Sequence, residues 1–389
     1  MKIGIDRISF YTPHLYVDMN ELALKRNEEP EKFTIGIGQD EMAIAPITQD
    51  PVTMAANAAL QIMDDETREK IDFVMFGTET GIDQSKSAGV YVHQLLGINP
   101  HARSIEMKQA CYGATAAIQL AKGHIALNPE SKVLVLASDI ARYGIDTPGE
   151  VTQGAGAVAL IISADPSIMV IEDNSTFLTK DIMDFWRPNY SDVAFVDGKF
   201  SNEQYLEFFA SVWEDYKEKS GLSLEDFAAI CYHLPYTKMG LKALRTILSE
   251  GSDDVQERLK ENFQASALYS RKIGNIYTAS LYLSLISLLE NKNLEAHSRI
   301  GLFSYGSGAV GEFFSGVLQP NYRDYLVADK HARLFENRKK VSVSEYEEVF
   351  EKELPADGST VDLDIQADPA AICVSGMKEH ERQYVNKAQ

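Results

Sequence analysis

A single cysteine, Cys111, stands where an extended apolar segment hands over to small residues and then a helical pattern, in "IEMKQACYGATAAIQLAKGHIA" from Ile105 to Ala126. A thiolate is a strong nucleophile, and a helix N-terminus lowers a thiol's pKa because unsatisfied N–H groups and the helix dipole favour negative charge. The run Gly113, Ala114, Thr115, Ala116, Ala117 permits close backbone approach, so its N–H groups could also receive an oxyanion. Free cysteine is also among the most buried residue types and often acts as a small hydrophobe. Position alone does not choose between acylation and packing.

His233, in "ICYHLPYTKMGLK", ends an apolar strand and is followed closely by Pro235; a histidine there can act as a general acid or base near neutral pH. As a lone feature it reads more simply as a hydrogen-bonded structural histidine. Lys238 and Lys242 follow at i, i+4 on the next helix and share a face, which suits a phosphate grip or a solvated surface equally. Glu79, in "FGTETGID", closes another apolar strand. Partly desolvated, its pKa would rise and it would serve as a base, whereas a surface turn explains it as simply. Asn275 in "RKIGNIYTASLY" and Ser307 in "SYGSGAVGEFF" occupy Gly-flanked turns, able to bind a substrate carbonyl or to serve only the turn.

These residues need elements to carry them, and the pattern is alternating strand and helix. "KIGIDRISF", "DFVMFGTET", "RSIEM", "KVLVLASDI" and "GAVALIIS" read as β segments, while "VTMAANAALQIM", started by Asp50-Pro51, and "GATAAIQLAKGHIA" read as helices. That is an α/β arrangement with buried central strands. "DFAAICYHLPY" has the layout of "DFVMFGTETG", and "RIGLFSYGSGAVGEFFSGVL" resembles "VTQGAGAVALIIS". The chain therefore reads as an internal duplication with a seam near Ser163 to Ile171: residues 1–165 carry Glu79 and Cys111, and residues 166–389 carry His233, Asn275 and Ser307. Strand ends from both halves would converge on one cleft, the usual ligand position in α/β folds. "NEQYLEFFASVWEDYKEKSG" and "LKALRTILSEGSDDVQERLKENF" read as helical excursions over the cleft or a partner surface, with most of their charges simply solvated.

Composition narrows the class. With 389 residues, 45% hydrophobic and 24% charged, the chain has the usual globular mix and is long enough for two packed halves. The longest apolar stretch, "IYTASLYLSLISLL", is interrupted by Tyr, Thr and Ser and is shorter than the ~18 residues a membrane span needs. The N-terminus lacks the order of a secretory signal, which points to the cytoplasm. Three cysteines without CxxC spacing argue against a disulfide framework and a structural zinc site. A net charge of −20 disfavours nucleic acid and anionic lipid, so an anionic ligand would need a local cluster of Lys or Arg.

"MKQACYGATAAIQLA", "FGTETGIDQSKS", "CYHLPYTKMGLKAL", "GNIYTASLYLSL" and "SYGSGAVGEFFSG" together resemble the hydroxymethylglutaryl-CoA synthases, thiolase-fold condensing enzymes of the mevalonate pathway, in the same order from about Met1 to Leu318. "VDGKFSNEQYLE" fits as well, and nothing specific carries onto the tail after Gln319. The resemblance implies a thiolase-like fold of two similar halves in a layered αβαβα arrangement. It implies condensation of acetyl-CoA with acetoacetyl-CoA and water through an acetyl-S-cysteine. Cys111 matches the nucleophile, Glu79 the base that deprotonates the acetyl methyl, and His233 the residue that positions acetoacetyl-CoA and activates its ketone. Asn275 and Ser307 fall in motifs of the acyl pocket, Lys238 and Lys242 near the CoA phosphates, Thr152 and Ser201 in ligand-touching segments, and Tyr143 and Phe185 at pocket walls. The implied enzyme uses no cofactor, CoA thioesters being substrates, and is a bacterial-type homodimer. The position before the nucleophile varies in the family; here it is Ala110, whose bulk would limit backbone movement during thioester formation and hydrolysis.

Two other readings remain. An initiating-type ketoacyl-carrier-protein synthase shares Cys, His and Asn, but it decarboxylates malonyl groups and needs no base at Glu79. Its acidic carrier protein would also want a basic dock, which a charge of −20 disfavours. A non-catalytic acyl-CoA-binding relative has no need to keep Cys111, Glu79 and His233 together.

Overall fold

The computed structural model describes residues 1–387. Its main sheet runs in the order Ala229–Tyr232, Arg299–Gly306, Val310–Leu318, Met169–Ile171, Ile3–Tyr11, Gly154–Ala164, Lys132–Ala141, Ile71–Gly77, Arg103–Met107, with Thr176–Thr179 added beside Val310–Leu318. The duplication is visible in this path. On one side of the seam Ile71–Gly77 is parallel to Lys132–Ala141, which is antiparallel to Gly154–Ala164, itself antiparallel to Ile3–Tyr11. On the other, Ala229–Tyr232, Arg299–Gly306, Val310–Leu318 and Met169–Ile171 repeat those three relations in the same sequence. The short strand Met169–Ile171 pairs with both sides and joins them.

Strand alternation sorts the side chains into layers. Val133, Val135, Ala137, Val158, Leu160 and Ile162 share one core with Ile300, Leu302, Cys231 and Phe314 from the second half. Helices Gly113–Leu127 and Ser280–Asn291 lie in that core; every residue from Ser280 to Leu289 is buried. Leu134, Leu136, Ala157, Ala159 and Ile161 face the other way, onto helices Pro51–Leu60 and Ala88–Leu96. Ile230, Tyr232, Phe303, Tyr305 and Phe313 likewise face helices Gly198–Ser220 and Thr237–Ile247. Helix, sheet, helix, sheet, helix is the layered αβαβα arrangement of a thiolase-like fold.

Several local signals act as the sequence implied. Asp50 caps helix Pro51–Leu60 by accepting from Thr53 N–H at 2.9 Å, with Pro51 in the first turn. The excursions differ from expectation. Helix Gly198–Ser220 buries Tyr205, Phe208, Phe209, Val212, Trp213 and Tyr216, so its aromatic face is part of the second half's core. "LKALRTILSEGSDDVQERLKENF" breaks at Gly251 and Ser252 into helices Thr237–Ile247 and Asp253–Ile273, which pack side by side.

The tail after Gln319 forms helices Ala328–Glu336 and Val343–Glu351 and a small sheet, Val361–Asp362, Ile372–Lys378 and Glu381–Asn386. It is fastened to the first half: Asn57 exchanges two hydrogen bonds with the backbone of Ile372, and Asp50 accepts from Arg382 and Tyr384. Among the described residues no helix is long and apolar enough to cross a membrane.

Candidate active site

Four of the sequence-selected residues sit where strands end. Glu79 follows Ile71–Gly77, Cys111 follows Arg103–Met107, His233 follows Ala229–Tyr232, and Ser307 follows Arg299–Gly306. These are carboxyl ends in two parallel pairs, the position α/β folds give to ligands. Cys111 lies two residues ahead of helix Gly113–Leu127, and its Sγ donates to Glu79 Oε1 at 3.2 Å. Gly77 and Gly113 meet at the base of this pair: a Cβ on Gly77 would stand 2.7 Å from Ala114 N, so only glycine lets the helix come this close.

Electrostatics at the pair run against the charged forms. Burial, then the nearby Asp139 carboxylate, push Glu79 up to about 8, although the Cys111 hydrogen bond opposes the rise. Burial and the carboxylates of Glu79, Asp139 and Asp184 hold the Cys111 thiol well above its ordinary range. This corrects the sequence expectation of a thiol acidified by its helix. Local helix polarity is outweighed by carboxylates that the fold brings from distant segments. The helix-start amides are also partly engaged: Tyr112 N–H donates to Gln109 O at 3.0 Å and Gly113 N–H to Ala110 O at 3.4 Å.

His233 is buried, its N–H donating to Phe303 O and its carbonyl accepting from Tyr205 OH at 2.7 Å. Neither ring nitrogen has a protein partner among the described residues, and Nδ1 is fully enclosed. Burial lowers its pKa to about 3, so the ring is neutral at physiological pH. Tyr143, Phe185 and Tyr277 form a triangle of edge-on rings with centroids 5.9 to 6.1 Å apart. Burial, then the charges of Cys111 and Glu79, push the Tyr143 hydroxyl's pKa up, which places this aromatic wall beside the pair.

Asn275 is buried, and its Oδ1 accepts from Tyr277 N–H and Ser280 Oγ, both at 2.9 Å, so that oxygen shapes the turn rather than facing a ligand. Thr152 receives Asn275 N–H on its carbonyl, while its hydroxyl donates to Gly149 O. Ser307 accepts Gln109 Nε2–H on its carbonyl at 3.2 Å. Ser201 donates to Asp184 Oδ2. Lys238 and Lys242 stand further out on helix Thr237–Ile247, donating to Ile35 O and Tyr236 OH, with no carboxylate partner among the described residues.

Residues 1–167 match the family model for the N-terminal part of hydroxymethylglutaryl-coenzyme A synthase, and residues 169–258 and 252–358 match that for its C-terminal part. The chain belongs to the hydroxymethylglutaryl-CoA synthase family. It is 50% identical to the Enterococcus faecalis hydroxymethylglutaryl-CoA synthase, over 99% of this chain and all of that one. A solved HMG-CoA synthase complexed with CoA superposes with a TM-score of 0.96 at 47% identity, covering 99% of this chain and 100% of that one. MvaS in complex with 3-hydroxy-3-methylglutaryl coenzyme A gives 0.89 at 34%, covering 99% of each.

Two acidic residues of this synthase escaped the sequence reading. Asp139, buried within strand Lys132–Ala141, accepts six hydrogen bonds: from Thr78 Oγ1, Glu79 N, Thr80 N and Thr80 Oγ1 on one oxygen, and from Thr278 N and Oγ1 on the other. It thereby fixes the Glu79 loop against the Tyr277 turn of the other half. An acidic residue inside the apolar run "VLVLASDIA" was the signal available, because a buried charge is retained only with partners. Asp184, also buried, accepts from Tyr305 OH, Gly308 N–H and Ser201 Oγ, holding the Ser307 turn. It lies in an irregular segment with no periodicity to mark it.

Proposed function

We propose that this synthase condenses acetyl-CoA with acetoacetyl-CoA, Cys111 carrying the acetyl group, Glu79 moving protons and His233 holding the second substrate. The observation that carries the reading is the 3.2 Å contact between Cys111 Sγ and a Glu79 carboxyl raised to about 8. When ionised, Glu79 takes the thiol proton as sulfur attacks the acetyl carbonyl, and CoA leaves as the thiol after receiving a proton. Thioester α-protons are more acidic than those of oxygen esters, so acetyl held on Cys111 is prepared for the next step. Glu79 then removes a methyl proton, and the enolate carbon attacks the ketone of acetoacetyl-CoA. A neutral His233 offers an N–H to that ketone without placing a full positive charge in a dry site. Once the alkoxide is protonated, water cleaves the Cys111 thioester and frees the carboxylate product.

Asn275 and Ser307 shape the acyl pocket through their turns, with Thr152 and Ser201 behind them and Tyr143 and Phe185 as walls. Lys238 and Lys242, which have no carboxylate partner among the described residues, are suited to the CoA phosphates. The cycle closes with CoA thioesters as its substrates and calls on no further cofactor. We read the chain as a cytoplasmic homodimer; the open edge of strand Arg103–Met107, where Ile105 is 48% exposed, is a surface a second copy can cover. Light scattering at micromolar concentration checks the dimer, and cell fractionation checks the compartment.

Incubation with labelled acetyl-CoA is the direct test. Label appears on Cys111 and is lost in Cys111→Ser; added acetoacetyl-CoA converts it to 3-hydroxy-3-methylglutaryl-CoA. Glu79→Gln, lacking the acceptor for the thiol proton, takes label more slowly than wild type and fails to condense. Absence of label on the wild-type protein rejects the nucleophile, and normal condensation by Glu79→Gln rejects the base.

A further inference from the structure

Glu312 lies in strand Val310–Leu318 of the second half, 2% exposed, and plays no part in the chemistry above. Its Oε2 accepts from Tyr112 OH at 2.6 Å and its Oε1 from Gln119 Nε2 at 2.7 Å. Tyr112 is the residue after Cys111, and Gln119 sits two turns along the same helix, so one carboxylate grips two points of the element that presents the thiol. No cation pairs with Glu312 among the described residues; the nearby Lys122 bridges Asp173 instead. A buried carboxylate without a counter-charge is costly, and a neutral side chain would fill the space more cheaply. Packing alone therefore does not account for a glutamate here.

The loop it grips is under tension. Ala110 has φ +42°, a left-handed conformation that costs a residue with a Cβ about 1 kcal/mol. Gln109 is held by Ser307 O, and Gly306 presses on Gln109 O and Tyr112 so closely that a Cβ would stand 2.5 to 2.7 Å from those atoms. The Tyr112–Glu312 bond, at 2.6 Å, is shorter than the 3.2 Å Gln109–Ser307 bond on the same loop. All of these contacts cross from one half to the other.

We propose that Glu312 is a positioning residue for Cys111: by holding Tyr112 and Gln119 it keeps the strained Ala110 turn in place and sets the separation of Sγ from the Glu79 carboxyl. The inference rests on Cys111 being the acetyl acceptor. It acts on the first half-reaction, and it does so through Tyr112 without touching substrate.

The test uses Tyr112→Phe, Glu312→Leu, their double variant and Glu312→Gln in the full-length protein. Formation of labelled acetyl-Cys111 is followed in a single turnover, alongside KM for acetyl-CoA, iodoacetamide alkylation of Cys111 and thermal melting. Tyr112→Phe and Glu312→Leu each slow acetylation by about tenfold or more, in line with the ~10²-fold that a misplacement near 1 Å can cost. The double variant is no slower than the slower single one, because both break one link. Glu312→Gln, which keeps an acceptor for Tyr112, regains most of the rate; KM for acetyl-CoA is unchanged, and the alkylation rate shifts in step with acetylation. Unchanged acetylation in Tyr112→Phe overturns the proposal, as does an additive double variant or a loss that merely follows the fraction unfolded. If Glu312→Leu does not fold, Tyr112→Phe decides, since it removes one oxygen and leaves the packing. A wild-type protein that takes no label on Cys111 rejects the nucleophile, a result distinct from labelled protein with indifferent variants.

Discussion

Glu79 is a carboxyl held against its own ionisation, and that makes a sign prediction. At pH 7 the protonated form dominates, because burial and Asp139 raise the group to about 8. The basic form grows as pH climbs through that value, so the rate of enolate formation rises with an acid limb near 8, and Glu79→Gln loses the limb. Stability moves oppositely. Between the ordinary carboxylate value of 4.5 and about 8 the folded state keeps a proton that the unfolded state has released, so stability falls as pH rises across that window. Glu79→Gln removes this loss. Its melting temperature should match wild type near pH 4.5 and exceed it at pH 9 by several degrees. A constant difference at all pH values would reject the assignment. Ala110 supplies a second residue-scale prediction. Its φ of +42° is one that glycine adopts freely, and the turn must flex as the thioester forms and breaks. Ala110→Gly relieves about 1 kcal/mol of strain and should raise turnover several-fold. Steady-state turnover decides, and an unaltered rate removes the idea.

At the scale of elements, the site depends on loops from opposite halves meeting without side chains between them. A Cβ on Gly306 would lie 2.5 Å from Gln109 O and 2.7 Å from Tyr112 N, both backbone atoms that cannot step aside. Gly306→Ala should displace the Cys111 loop and cut single-turnover acetylation about 10²-fold, with melting lowered by only a few degrees. Equal losses of acetylation and folded protein would mean the glycine serves folding alone. The elements themselves were largely legible. "RSIEM" is strand Arg103–Met107, "KVLVLASDI" is all but the last residue of Lys132–Ala141, and "GATAAIQLAKGHIA" is all but the last residue of Gly113–Leu127. Their apolar runs and glycine or proline punctuation are local properties. The amphipathic face of Gly198–Ser220 was equally legible, but the strand it would cover was not, since that partner lies about a hundred residues downstream. The same limit applies to the site. The positions of Glu79, Cys111 and His233 at strand ends could be read from pattern; the direction of the Cys111 shift could not, because it is set by carboxylates from three other segments. The tail's sheet, with strands as short as Val361–Asp362, offers too little periodicity to read.

The whole molecule poses a problem of charge. It carries 57 acidic residues against 37 Lys and Arg, and its substrates are polyanions. A field of that sign slows their approach and weakens their binding unless cations are left unneutralised where the phosphates sit. Many of the larger cations are not free: Arg26, Arg271, Arg299, Arg338 and Arg382 each face a carboxylate. Lys238 and Lys242 differ, their ammonium groups resting on a carbonyl and a phenol that a phosphate can displace. Removing both charges in Lys238→Ala/Lys242→Ala should raise KM for acetyl-CoA and acetoacetyl-CoA about tenfold at low ionic strength, leaving kcat within about twofold. The gap from wild type should close toward 0.5 M salt, where screening reduces exposed charges to short range. An acetyl thioester of a short neutral amine-thiol, which lacks the phosphates, should react equally with both proteins. If the variant handles that truncated substrate as poorly as the full one, the lysines support the helix rather than the phosphates. If instead only the CoA substrates suffer and salt erases the difference, two side chains offset the field of the other 387 residues where the ligand enters.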